Sequence, residues 1–319
     1  MILPWLDPVR DRLTASLSAG RLGHAPLIHG PAGIGKRHLA EQLARLLLCL
    51  SPSDGQACGD CRACRLLDAG THPDRVNVAV EEDRSAVTVD QIRDLAARLQ
   101  LTASVGQRRV AVIHAADAMN VNAANALLKT LEEPPPGVWI VSYCETAARL
   151  PATVRSRCQR VEIRLPPGEQ AGRWLAEQCP KHSDARRALA LRLVDGAPLA
   201  AHKLLENDEM ETGLAILRDL ACTENHQAIL ERWQVDPVGT WRWLARWLAL
   251  IMRHMTCPDD SLDHDVQALL PRAVDQRQLG ALWQQAIEGG REAGRGVVRQ
   301  DLLLGKWLLE WAAAIRLQD

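Results

Sequence analysis

Pro26-Leu27-Ile28-His29-Gly30-Pro31-Ala32-Gly33-Ile34-Gly35-Lys36 is the stretch on which the fold turns. Its first four residues form a short apolar strand signal, and the next seven fit G-x-x-x-x-G-K. Leu39, Leu43, Leu46 and Leu47 then recur at helical spacing. A strand, a glycine loop and a helix in that order aim backbone N–H groups and a helix N-terminus at phosphate oxygens. Gly30, Gly33 and Gly35 allow the turn, and Lys36 would reach the terminal phosphates.

Outward from this stretch, short strands alternate with helical patterns. Residues 75–80 alternate through Val76, Val78 and Val80. Residues 87–99 carry Val89, Ile92, Leu95 and Leu99 on one helical face. Residues 110–113 form a continuous apolar strand, and 122–132 a helix stopped by Pro134-Pro135-Pro136. Residues 138–143 and 160–165 complete the strand series. The pattern predicts an α/β P-loop domain, a mostly parallel sheet covered by helices.

Pro166-Pro167-Gly168 reads as a linker, followed by helical segments at 168–180, 183–194 and 198–207. Beyond Asn207 the pattern is wholly helical, and residues 240–255 and 301–315 set Trp and Leu on broad apolar faces. Helix–helix core is the reading for those faces, with an excess left over for subunit contact. The expected domains are 1–165, 166–207 and 208–319.

A length of 319 residues suits two or three domains. A net charge of −1 creates no global field toward nucleic acid. With no Phe, one Tyr and ten Trp, broad stacking of single strands is not the expected activity. No apolar run approaches the ~20 residues of a membrane span. The N-terminus lacks a secretory pattern, so a cytoplasmic protein is expected.

The phosphate loop lacks partners for chemistry. Mg²⁺ is normally held by a Ser or Thr after the lysine, and Arg37 stands there instead. An acidic pair normally ends the neighbouring strand, whereas residues 110–113 run into His114-Ala115. Asp117 comes three residues after His114, past the strand end, and is not taken as a metal ligand. ATP turnover by this chain alone is not expected. Weak nucleotide binding and a purely structural turn both remain open for the loop.

Cys58, Cys61 and Cys64 form C-x₂-C-x₂-C, with Cys49 upstream at the end of the loop helix. Four thiolates satisfy a tetrahedral zinc ion and leave no open position, so a structural site is expected. Residues 51–56 read as a flexible link that lets Cys49 fold back. An iron–sulfur cluster lacks its Cys-Pro signature here, and free thiols are the plain alternative. Cys144, Cys158, Cys179, Cys222 and Cys257 are scattered and read as buried or inert.

Asn125-Ala126-Leu127-Leu128-Lys129-Thr130-Leu131-Glu132-Glu133-Pro134-Pro135 is an amphipathic helix with its stop. Leu127, Leu128 and Leu131 are expected to face the core, and Lys129 to pair with Glu133. With the cysteine quartet and Ser156-Arg157-Cys158, this stretch resembles the AAA+ clamp-loader subunits of bacterial DNA polymerase III. The resemblance covers nearly the whole chain, its C-terminal third through length and helical pattern.

The resemblance implies an AAA+ domain with a zinc-binding insertion, a helical lid and an all-α collar. It also implies a five-subunit ring in which ATPase (gamma/tau) and delta subunits load a sliding clamp on primed DNA. Arg157, between Ser156 and Cys158, would be an arginine finger given in trans to a neighbour's ATP. Tyr143-Cys144-Glu145 stands where an ATPase subunit carries its sensor Thr, and Leu199 where the lid carries its sensor Arg. These departures point away from the hydrolysing kind of subunit. An active gamma/tau-like ATPase and a zinc-containing nucleic-acid-binding scaffold are the alternatives. The first predicts the missing acidic pair. The second predicts basic residues around a cysteine cluster where Arg62 and Arg65 are balanced by Asp60 and Asp68.

Overall fold

The computed structural model describes residues 2–81, 84, 86–222, 225–257, 262, 264–271, 274–294 and 299–316. The chain divides into two compact units, Met1–Pro166 and Pro167–Asp319.

In the first unit, α1 (Asp7–Ser18) precedes β1 (Pro26–His29) and α2 (Lys36–Leu48). Then come α3 (Arg62–Asp68), β2 (Arg75–Val78), α4 (Val89–Leu99), β3 (Arg109–Ile113) and α5 (Val121–Glu132). The unit ends with β4 (Val138–Cys144), α6 (Ala152–Arg155) and β5 (Gln159–Glu162). The five strands form one parallel sheet in the order β2-β3-β4-β1-β5. Strands β2 and β5 are shorter than their apolar patterns, stopping at Val78 and Glu162.

A parallel sheet buries both faces, which explains the unbroken apolar runs. Ala111 and Ile113 of β3 pack with Ile92, Leu95, Leu127 and Leu131 of α4 and α5. Val110 and Val112 alternate to the other face and are fully buried. Thr88 caps α4 through a capping box with Gln91, and Asn120 caps α5. Each core aliphatic contributes about 1.5–3 kcal/mol by leaving water.

One expected helical pair does not form. Glu133 leaves the helix with φ −127° and ψ 70°, and only its backbone N–H bonds to Lys129 O. Pro134 excludes helical backbone from the residue before it, so the i,i+4 geometry is lost. Leu128 is partly buried against the core, beside buried Leu127 and Leu131.

The second unit is helical among its described residues. α7 (Gly168–Gln178), α8 (Asp184–Leu193) and α9 (Pro198–Glu206) come first. They are followed by α10 (Glu209–Ala221), α11 (His226–Trp233), α12 (Pro237–Thr256), α13 (His264–Gln267), α14 (Gln276–Ala293) and α15 (Gln300–Arg316). Trp233, Trp241, Trp247, Trp307 and Trp311 are all fully buried. Their indole N–H groups reach Asp219 Oδ2, Gln300 Oε1, Gly213 O, Leu282 O and Leu220 O at 2.8–3.0 Å. These Trp residues therefore form this unit's own core, while Leu302 and Leu309 of α15 remain exposed. No described helix is long and apolar enough to cross a membrane.

Candidate functional site

The glycine loop leaves β1 at its C-terminal end and delivers α2, as its pattern requires. Gly30 has φ +152°, and a Cβ there would lie 2.2 Å from Ile163 O, so no other residue fits. Gly35, with φ +92°, turns the chain into the first helical residue, Lys36.

Lys36 is 7% exposed, and its ammonium donates to Pro31 O at 2.5 Å, within its own loop. Burial lowers its pKa, while Glu145, Cys144 and Asp117 oppose that fall. The indole of Trp5 donates to Ile34 O at 2.8 Å, tying the N-terminal segment to the same loop. No sequence signal marks that contact, because the partners are far apart in the chain.

Arg37 is exposed at the position of the metal-binding hydroxyl. His114 follows β3, and its Nδ1 lies 2.9 Å from Tyr143 Oη, the rings meeting edge to face. Burial first, then the Arg37 and Arg75 charges, lower the His114 pKa against the pull of Glu41. Burial likewise raises that of Tyr143. An imidazole held by Tyr143 thus stands at the end of β3, where an acidic pair would be expected. Asp117 Oδ2 accepts the backbone N–H groups of Glu145 and Thr146, each at 3.2 Å, which commits this carboxylate to holding a turn.

The four cysteines converge. Cys49 ends α2, Cys61 caps the start of α3, and all four sulfurs lie within 4.8 Å of one another. The Cys49 sulfur is 3.6 Å from Cys58 Sγ and 3.9 Å from Cys61 Sγ. A tetrahedron with Zn–S bonds of about 2.3 Å has edges of ~3.8 Å, so the set fits such an ion. Backbone N–H groups of Cys58, Cys61 and Cys64 donate to Cys49, Cys58 and Cys61 Sγ at 3.3–3.4 Å, stabilising thiolates. Burial opposes ionisation of Cys61, but the N–H groups of Cys64 and Leu50 and the thiols of Cys64 and Cys58 bring its pKa to about 6. Burial and the Cys61 contact push Cys64 up to about 12.

The expected flexible link is an ordered turn: Ser53 and Gln56 exchange backbone hydrogen bonds, and Thr14 of α1 donates to Gly55 O at 3.3 Å. Of the remaining cysteines, Cys144 and Cys179 are buried and Cys158 half-buried. Burial raises the Cys144 thiol to about 12 and that of Cys158 to about 11. Cys222 and Cys257 are exposed, contrary to the buried reading, because both lie just beyond helix ends.

Arg157 lies in the short passage from α6 to β5. Cys158 packs inward against the sheet's core cluster, while a third of the Arg157 side chain remains exposed. Its Nη1 donates to Thr153 O at 2.8 Å and to Ser156 Oγ at 3.4 Å, and its Nη2 pairs with Glu132. Among the described residues, no hydrogen bond or ion pair joins Arg157 to the glycine loop.

Residues 6–167 match the family model described as DNA polymerase III, delta subunit. Residues 166–206 match the AAA+ ATPase lid domain of DNA polymerase III subunit delta'. DNA polymerase III subunit delta' of Pseudomonas aeruginosa is 37% identical, over 81% of this chain and 80% of that protein. Its Escherichia coli counterpart is 40% identical, over 68% of this chain and 65% of that one. Among solved structures, a gamma subunit-related protein from Thermotoga maritima shares the fold, with a TM-score of 0.52 at 16% identity. That likeness covers 96% of this chain and 99% of the other.

Proposed function

The chain belongs to the delta-prime family of DNA polymerase III, and we propose that it serves the clamp loader without hydrolysing ATP itself. Its chemical contribution is Arg157, offered in trans to ATP bound by a neighbouring ATPase (gamma/tau) subunit. The observation that carries this reading is the set of groups around the glycine loop. Arg37 replaces a metal-binding hydroxyl, His114 follows β3 where an acidic pair would stand and bonds to Tyr143, and the Asp117 carboxylate accepts two backbone N–H groups. Mg²⁺ would find the Arg37 cation in place of a hydroxyl and the His114 imidazole in place of the acidic pair that would hold it.

Arg157 has the complementary property. Half-buried Cys158 anchors the adjoining backbone against the core, and the guanidinium stands partly exposed, paired with one carboxylate that a stronger anion would displace. A neighbour's γ-phosphate is such an anion, and an arginine supplied in trans accelerates phosphoryl transfer by about 10³–10⁵ in known systems. The partners are the gamma/tau and delta subunits in a five-subunit ring, acting on a sliding clamp and primed DNA in the cytoplasm during replication. The cysteine quartet holds a structural zinc ion.

Steady-state ATP hydrolysis by the purified chain is the test. No turnover above a protein-free control is expected. Turnover that disappears on replacing Lys36 would contradict the reading.

A further inference from the structure

On α12, Arg242, Ala245, Arg246 and Ala249 recur at helical spacing on a stripe separate from the buried Trp residues. That stripe and α14 line a cleft of about 400 Å³ whose floor includes Ala245, Ala249 and Ile287. Arg242, Arg246 and Arg291 line it as well. Asp195 is the only carboxylate among the described lining residues, and it is paired with Arg253, another lining residue.

Among the described residues, the three remaining arginines form no ion pair. Arg242 and Arg291 are exposed. Arg246 is half-buried, lies 4.9 Å from the Trp243 ring centroid, and its buried Nη1 meets no acceptor. Burial, and after it the neighbouring Arg242 charge, lower the Arg246 pKa, while Glu209 and Asp195 oppose that fall. A guanidinium short of acceptors beside a like charge is stabilised by an incoming anion.

The shape and lining say which kind of anion fits. A stripe from Val238 to Arg253 extends ~22 Å along α12, about four turns of a partner helix. The floor is aliphatic, and of the two lining indoles Trp241 is 2% exposed and Trp283 half-buried, so the lining offers no row of open rings for stacking successive bases. Aliphatic side chains between carboxylates match this floor and rim.

We infer that the cleft docks an acidic amphipathic helix of a partner protein, its carboxylates on Arg242 and Arg246 and its aliphatic face on Ala245, Ala249 and Ile287. This surface is independent of Arg157 and of the glycine loop.

The test uses the purified full chain and a fluorescein-labelled helical peptide of about 18 residues, with Leu at i, i+3/i+4 and i+7 and Glu elsewhere. Fluorescence anisotropy should show saturable binding, weakened about tenfold or more when Lys replaces Glu in the peptide. Arg242→Glu, at an exposed position, should weaken binding by about tenfold or more through charge reversal. Arg246→Gln should do the same while circular dichroism stays unchanged; if that variant fails to fold, Arg242→Glu decides. Absence of binding near millimolar concentrations, or equal binding by Arg242→Glu, overturns the inference. So does an oligothymidylate that binds in an Arg242-dependent way where the peptide does not.

Discussion

Among the described residues the guanidinium of Arg157 has one carboxylate partner, Glu132, and both groups are partly exposed. A pair of that kind is worth ~0–1 kcal/mol, small against the contacts a phosphate would offer. Glu132→Gln should therefore change unfolding free energy by no more than about 0.5 kcal/mol in urea titration. In a reconstituted complex the same variant should hydrolyse ATP no more slowly than wild type, since only a competitor for Arg157 is removed. A marked loss of rate would mean that Glu132 holds Arg157 in its working position. Neither this pair nor the Trp5–Ile34 bond was legible in the sequence, because each joins residues 25 or more apart. The Lys129–Glu133 pair was predicted from spacing and fails because Pro134 ends the helix one residue too early.

At the scale of elements, the cysteine quartet joins the end of α2 to the start of α3, with Arg45–Asp68 as a second tie at 2.6 Å. Purified protein should contain about one zinc ion per chain, and Cys64→Ser should lower both metal content and Tm. Elemental analysis finding neither zinc nor iron would remove the metal reading. This site was legible because three ligands share one short turn. The strands were legible too, since a sheet buried on both faces needs unbroken apolar runs. α1 was not, for Leu13 is its only buried side chain and it carries no apolar stripe. The Trp faces of α12 and α15 were legible as apolar, yet only the packed helices show that they face one another, with Trp241 edge-on to Trp307.

Across the molecule, acid should act through histidines. His29, His38, His72 and His114 all have pKa values lowered, in each case first by burial. Their folded values lie below an unfolded value of about 6.5. Above that pH both states are neutral, and the histidines add no pH dependence. Below it the unfolded chain binds protons that the folded chain does not, so stability falls as pH drops. Tm should decrease from about pH 7 to about pH 5, and His114→Gln should make the decline shallower. A profile identical in that variant would remove His114 from the account.

The same division of roles runs through the whole chain: the glycine loop keeps its shape while Arg157 faces outward. ATP hydrolysis by a reconstituted clamp loader carrying Arg157→Ala tests this most directly. The account predicts an assembled complex in which hydrolysis at the facing site falls by about a thousandfold or more. An assembled complex with an unchanged rate would contradict it.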